Sequence, residues 1–249
     1  MTFGPGAGGN ATEPGAVASG TDGPGPRTAV VVATTREVLD HPDLHEDLLA
    51  PWERRRLSGI RLPSRRDDVV ASRLLVRLCA ALHTGLPPAG AAPAQSCPDC
   101  GRDGHGRPYL PGRPGVGVSL SHADGLVAAA VGPGAVGVDV EPSTRRPGPL
   151  RVLRRLLPEA ALAEATARPD PGPALLRLWV RREALLKAGR ADFTGPDDGL
   201  LGQDGLHLLE WTDGDRGAVV AVAGTAPVTV LPVSASAPVT VVPVSASFR

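Results

Sequence analysis

Gly137-Val138-Asp139-Val140-Glu141 is the stretch to read first, together with Trp179-Val180-Arg181-Arg182-Glu183-Ala184-Leu185-Leu186-Lys187. In the first segment valine alternates with other residues at period two, which predicts a β-strand. Alternation puts Asp139 and Glu141 on one face and Val138 and Val140 on the other. In the second segment Trp179, Glu183 and Lys187 recur at every fourth residue, so they form one stripe of a helix. Packed together, strand and helix would bring three carboxylates and a lysine to one point. Three anions in a small volume need a cation, and oxygen-only ligands favour Mg²⁺, with Mn²⁺ as an alternative. A Mg²⁺ held by few carboxylates takes substrate phosphates, which Lys187 would suit.

Working outward, two further segments join these. One is Gly106-Arg107-Pro108, the other Ser119-Leu120-Ser121-His122. In that order, over roughly residues 50 to 223, the four segments resemble the motifs of the 4'-phosphopantetheinyl transferases, in their surfactin-synthetase-activating (Sfp-type) class. The resemblance implies a mixed α/β (α+β) fold. It would be a pseudo-dimer of two similar subdomains, each an antiparallel sheet packed with helices, with the active site at their interface. It implies transfer of the 4'-phosphopantetheine arm of coenzyme A to a serine of an apo acyl or peptidyl carrier protein, with release of 3',5'-ADP. Asp139, Glu141 and Glu183 would hold Mg²⁺, and Glu183 and Lys187 would be catalytic. Coenzyme A would meet Arg107, Ser121, His122, Asp139, Arg182 and Lys187. The sequence departs from the family pattern at Arg107 and Arg182, where lysine is usual, and at Ser119 and Ala123.

Composition sets the frame. The chain has 249 residues, 42% hydrophobic and 21% charged, enough for one large domain or two small ones. A net charge of zero argues against a generic nucleic-acid binder. No apolar run approaches the roughly 18 residues of a membrane span. The N-terminus lacks the basic and apolar regions of a secretory signal. Three cysteines do not make a disulfide framework. A cytoplasmic monomer with no membrane partner is expected.

Residues 1–26 are Gly, Pro, Ala, Ser and Thr with almost nothing large, so they read as a disordered tail. Residues 27–134 and 135–225 are expected to form the N-terminal, nucleotide-side subdomain and the C-terminal, catalytic one. Thr28 to Ala33 reads as a buried strand. Residues 43–50 suggest a helical turn with Leu44, Leu48 and Leu49 inward. The run Arg65 to Leu78 carries helical spacing. Arg54, Arg55, Arg56 and Arg73 read as a solvated face; the resemblance gives all four a second reading, as 3'-phosphate or adenine contacts at the nucleotide end of coenzyme A. Gly106 to Leu110 reads as a turn leading into irregular chain. Val116, Val118 and Leu120 face one way along a strand, and Ser119 and Ser121 the other. Leu126 to Val131 and Ala135 to Val140, with Gly132-Pro133-Gly134 between them, suggest an antiparallel hairpin.

Residues 142–157 hold Arg145, Arg146, Arg151, Arg154 and Arg155 with no acid. Leu150, Leu153, Leu156 and Leu157 give them a helical pattern. They read either as a solvated face or as a docking surface for an acidic carrier. Ala174 to Ala188 is the motif helix, with Pro173 near its start and Gly189 as its stop. Strands are expected at Leu206 to Trp211 and Gly217 to Ala223. Residues 226–249 hold a tandem repeat, Ala226 to Ser236 and Ala237 to Ser247, whose prolines suit an edge strand or a loose extension.

Cys97-Pro98-Asp99-Cys100-Gly101, followed by His105, is half of a tetrahedral zinc site by spacing. A redox pair and an unliganded loop are the other readings. Two functional alternatives stand beside the transferase. One is a catalytically impaired coenzyme A-binding protein of the same fold. The other is a zinc-binding interaction module centred on Cys97 and Cys100.

Overall fold

A computed structural model describes residues 26–97, 99–189 and 205–234. The N-terminal tail apart from Pro26, and the second copy of the repeat, lie outside the described residues. The fold is mixed α/β with helices packed on largely antiparallel sheets. Strand β1 (Thr28–Thr34) leads into the short helix α1 (Thr35–Leu39). Thr34 caps that helix, its hydroxyl accepting from the Glu37 N–H while Glu37 accepts from the Thr34 N–H. A single 3₁₀ turn (Glu46–Leu48) buries its flanking Leu44 and Leu49. Helices α2 (Pro51–Leu57) and α3 (Pro63–Thr84) follow, each with proline in its first turn, where no N–H is needed. Gly85, at φ 72°, ends α3 in the left-handed conformation that glycine adopts freely.

The next strands are β2 (Ala94–Ser96), β3 (Asp103–Tyr109), β4 (Val116–Ala123), β5 (Leu126–Pro133) and β6 (Val136–Pro142). Gly106 to Tyr109 therefore belongs to a strand and not to the expected turn. Helices α4 (Leu150–Leu153), α5 (Glu159–Thr166) and α6 (Gly172–Lys187) precede β7 (His207–Asp213), β8 (Ala218–Gly224) and β9 (Val228–Leu231). One sheet runs in the order β2-β3-β4-β5-β1-β9, the other β6-β8-β7. All pairs are antiparallel except β1 with β9, which run parallel at the edge of the larger sheet. The first repeat copy supplies β9, and its prolines flank a strand at the end of the sheet, where one side needs no ladder.

The hairpin expected between residues 126–131 and 135–140 does not form. β5 pairs with β4 and β1, whereas β6 pairs with β8 across its whole length, Val136 opposite Gly224 through Pro142 opposite Ala218. Gly134, at φ 64°, donates its N–H back to Gly115 and turns the chain out of the first sheet. The reason is burial: Val136, Val138 and Val140 fill a core with Val30, Val32, Ala128 and Ala130 of the first sheet and Val220 and Val222 of the second. A strand paired edge to edge with β5 would lie beside that face instead of covering it.

Helix α3 packs on the other face of the large sheet. Its Val70, Leu74, Leu75 and Leu78 join Val31, Val118, Val127 and Ala129. Cys79 lies in this core, its thiol pushed up to about 12 by desolvation. Of the helix expected over 142–157, only the single turn α4 is helical, with Leu153 and Leu157 buried against Leu162, Ala165 and Leu175. Among the described residues, no helix is long and apolar enough to cross a membrane.

A bidentate pair fastens the N-terminal half to the β7–β8 loop: Arg216 Nη2 lies 2.7 Å from Glu37 Oε1 and Nε 2.9 Å from Oε2. The Arg216 hydrogen bonds hold the Glu37 carboxyl at about 2, against an ordinary 4.5. A carboxyl depressed on folding adds stability above its unfolded value and loses it as pH falls through the folded one. Glu37→Gln should therefore flatten the Tm-versus-pH curve between about pH 4.5 and 2, and thermal melts in that window check it. A curve unchanged by the substitution would remove this pair from the acid response.

Candidate active site

Local geometry explains why Lys187 reaches the acidic strand. Leu176, Val180 and Ala184, at four-residue spacing on α6, pack on Val219 and Ala221 of β8. This seats the helix across β6 and β8. A Cβ at Gly137 would fall 1.9 Å from the Ala184 carbonyl oxygen, so only glycine lets β6 and α6 approach this closely. Trp179 is half-buried between two apolar clusters and acts as a packing anchor.

At that contact Asp139 is a hub. Its Oδ1 accepts from Lys187 Nζ at 2.6 Å and from Ser121 Oγ at 2.7 Å; the Lys187–Ser121 distance is 2.9 Å. Ser119 Oγ accepts the Val138 N–H at 3.0 Å. The two serines on one face of β4 thus hold the first sheet to β6. Asp139 Oδ2 and Glu141 Oε2 are buried and receive no hydrogen bond. Arg145 Nη1 lies 3.0 Å from Glu141 Oε2, close enough for charge attraction but not along a hydrogen-bond direction. Desolvation, with Asp139 adding repulsion, pushes the Glu141 carboxyl up to about 7 despite Arg145. Two neighbouring buried oxygens with no donor suit a hard cation, and the donor set is all oxygen.

The three carboxylates do not converge. Among the described residues, the group of three or more Cys, His, Asp or Glu side chains whose ligating atoms all lie within 4.8 Å is Cys97, Cys100 and His105. Asp139 and Glu141 stand together on β6, but Glu183 is drawn aside by Arg182, Nη1 to Oε1 2.8 Å. A shared helix stripe fixed Glu183's direction; the neighbouring guanidinium decided where its oxygens went.

A cleft of about 1130 Å³ opens beside this strand, lined among others by Thr35, Arg65, Asp68, His122, Glu141 and Arg145. His122 is open to solvent across the cleft, yet its surroundings desolvate it enough to hold its pKa below the ordinary histidine value. Asp68 opposes that shift, while Lys187, Arg65 and Arg73 add to it. Asp68 accepts from Thr35 Oγ1 at 2.6 Å and from the Gly125 N–H at 3.3 Å, building the cleft wall. Arg36, Arg65, Asp68 and Thr35 were not singled out from the sequence. They come together only because α1 and α3 start beside the β4–β5 turn.

Several expected coenzyme A contacts are engaged elsewhere. Arg54 donates to the Leu49 carbonyl. Arg73 is buried, 5.2 Å from the Trp52 ring centre and 3.9 Å from Glu53. Neither lines the cleft. Arg107 Nη2 donates to the Lys187 carbonyl at 2.9 Å, a cation at the C-terminal end of α6. Arg182 donates to the Leu156 carbonyl at 3.0 Å and stacks over Trp179. Of the proposed docking arginines, Arg145 lines the cleft and Arg146 lies 3.9 Å from Asp170. Arg151, Arg154 and Arg155 are exposed next to Leu150 and Val152, which are exposed too.

Comparison with known proteins agrees with the segment that builds the hub. Residues 135–225 match the family model of the 4'-phosphopantetheinyl transferase superfamily. A Bacillus subtilis protein described as 4'-phosphopantetheinyl transferase is 27% identical over 146 residues, covering 57% of this chain and 61% of that protein. The chain thus spans about three-fifths of the length of the curated relative it matches. Residues 135–225, which carry both the acidic strand and the lysine helix, are thus similar to the 4'-phosphopantetheinyl transferase superfamily.

Proposed function

We propose that this chain transfers the 4'-phosphopantetheine moiety of coenzyme A to a serine of an apo acyl or peptidyl carrier protein, yielding 3',5'-ADP, as an enzyme of the Sfp-type class. The observation that carries the reading is the Asp139 hub: a buried carboxylate held by Lys187 and Ser121, with an unpartnered oxygen beside that of Glu141 and a cleft alongside. The long helix of each half, α3 on one sheet and α6 on the other, supports reading the fold as two related subdomains with the site between them.

Asp139 and Glu141 would hold Mg²⁺, with Glu183 a third donor once released from Arg182. Bound there, the ion supplies charge neutralisation for a diphosphate. Lys187, at the same hub, would offset the charge of that diphosphate. Phosphoryl transfer depends mainly on such positioning and charge stabilisation. His122, to which the resemblance already gives the 3'-phosphate, and the basic rim of Arg36, Arg65 and Arg145 would take the nucleotide phosphates, a role the resemblance also offers to Arg54, Arg55, Arg56 and Arg73. Glu183 is the candidate base for the carrier serine. The nucleophile belongs to the partner, so the chain needs no Ser-His-Asp arrangement of its own. A cytoplasmic monomer acting on fatty-acid, polyketide or nonribosomal-peptide carriers fits this reading. Incubation with coenzyme A, Mg²⁺ and a panel of apo carriers, read by intact mass, tests it; no added phosphopantetheine on any carrier would overturn it in favour of an impaired coenzyme A-binding protein.

The arginines after β6 are proposed to dock the carrier. Arg154 and Arg155 are exposed beside exposed Leu150 and Val152, a basic surface with apolar anchors that suits an acidic partner. Arg154→Glu with Arg155→Glu should raise the KM for a carrier about tenfold or more while leaving coenzyme A binding unchanged, since two like-charge contacts cost several kcal/mol. Carrier titrations at saturating coenzyme A check this, and an unchanged KM would move docking elsewhere.

A further inference from the structure

The β2–β3 hairpin carries a second constellation that the transferase reading does not use. Cys97 follows β2, Cys100 stands in the turn, and His105 lies on β3. Cys100 Sγ is 3.2 Å from His105 Nε2, and the three ligating atoms all lie within 4.8 Å of one another. With Zn–S near 2.3 Å and Zn–N near 2.0–2.1 Å, a tetrahedral site has ligand–ligand edges of about 3.5–3.8 Å. A triangle of this size closes on an ion with shifts of a few tenths of an ångström to about one ångström.

The backbone is built for that closure. The Gly101 N–H donates to the Cys97 carbonyl at 2.8 Å and the Cys97 N–H to the Arg102 carbonyl at 3.0 Å, fixing the backbone on either side of the two thiols. The β2–β3 register slips between Gln95, opposite Pro108, and Ser96, opposite Asp103. Residues 104–107 occupy that slip, so His105 is free to turn back over the cysteines. Gly104 and Gly106, both at φ 91°, flank it, and a Cβ at Gly106 would fall 2.7 Å from the Ser96 carbonyl oxygen. The strand is therefore bent at this histidine.

We infer that Cys97, Cys100 and His105 bind a zinc ion that staples the β2–β3 hairpin. Two thiolates and a neutral imidazole supply three ligands. The fourth position faces solvent, where water binds or Asp99, whose Oδ2 is 4.0 Å from Cys97 Sγ, swings in. Binding displaces the thiol protons to solvent, so affinity falls with falling pH. The staple has structural consequences: Arg56 donates to the Gly104 carbonyl, Gly104 packs on Trp52, and Arg107 on the same strand holds the end of α6. The site stands apart from Asp139 and does not depend on the transferase reading.

The test is metal analysis of the full chain, purified without chelator and dialysed against metal-free buffer. About one zinc per chain is expected. Cys97→Ser with Cys100→Ser should lose all of it, and His105→Ala should weaken it by at least about tenfold in competition with a chromogenic chelator, since removing even an outer partner of a ligand costs that much. Cobalt substitution should show thiolate-to-metal charge transfer that the cysteine variant lacks, and circular dichroism of each variant separates metal loss from unfolding. No zinc in the folded wild-type chain, zinc retained by the folded double variant, or a Cys97–Cys100 disulfide in intact mass would each overturn the site. None of these readouts involves coenzyme A or a carrier, so failure here is distinguishable from failure of the transferase proposal.

Discussion

On the proposed transferase reading, Asp139→Ala should abolish phosphopantetheine transfer, lowering turnover by more than about 10³-fold, at or beyond the scale of removing one transition-state stabiliser. The side chain does three things at once. It anchors Lys187 at 2.6 Å, it ties Ser121 to β6 at 2.7 Å, and its second oxygen is buried without a donor next to Glu141. Removing it releases the lysine and halves the paired oxygen donors on β6. The fold should survive. Lys187 is about one-third exposed and can rehydrate, and loss of the neighbouring anion relieves repulsion on Glu141. Far-UV circular dichroism and Tm should therefore stay close to wild type while intact-mass assays show no holo carrier. Asp139→Asn separates shape from charge: it keeps the hydrogen-bond acceptor for Ser121 and should still fail. Turnover retained by either variant at saturating Mg²⁺ would defeat the assignment of Asp139 as the hub.

Glu53→Ala should destabilise the fold by about 3–5 kcal/mol, the cost of leaving a buried charge unpaired. Arg77 on α3 has no exposed surface, and its guanidinium is met by Glu53 of α2, which is 3% exposed. Nη1 lies 3.2 Å from Glu53 Oε1 and also donates to the Arg73 carbonyl at 2.7 Å, while Nε has no partner. Without the carboxylate, the positive charge remains in the apolar interior with nothing to balance it. Arg77→Met should cost less, because Glu53 still accepts from the Ala50 N–H at 2.8 Å and has Arg73 nearby. The double variant Glu53→Leu, Arg77→Met should recover most of the loss, since a hydrophobic replacement of a buried pair is often neutral or better. Urea unfolding of all four proteins checks this. A Glu53→Ala loss below about 1 kcal/mol would mean that water already reaches the pair.

How much of this was legible beforehand depended on whether the deciding interaction was local. Periodicity is local. It placed strands at Thr28 to Ala33, Leu206 to Trp211 and Gly217 to Ala223 and a helix at Ala174 to Ala188, close to the observed Thr28–Thr34, His207–Asp213, Ala218–Gly224 and Gly172–Lys187. It also put Asp139 and Glu141 on the face opposite Val138 and Val140, because side-chain alternation along a strand is fixed by the backbone itself. Pairing is not local. Gly132-Pro133-Gly134 carried a turn signal, yet β6 left β5 for β8, a partner some eighty residues away, because only there does its valine face become covered on both sides.

The sequence alone, then, determined which residues carry charge, which faces of each element they occupy, and which family's motifs they resemble. Only the tertiary structure decided which of those charges meet. Lys187 went to Asp139, Glu183 to Arg182, Arg107 to the end of α6, and Arg73 beside Trp52 and Glu53. Long charged side chains have several partners within reach of any given backbone position. Their choice is set by the packing of distant elements and by what each burial leaves unpaired, neither of which is written in the spacing of residues along the chain.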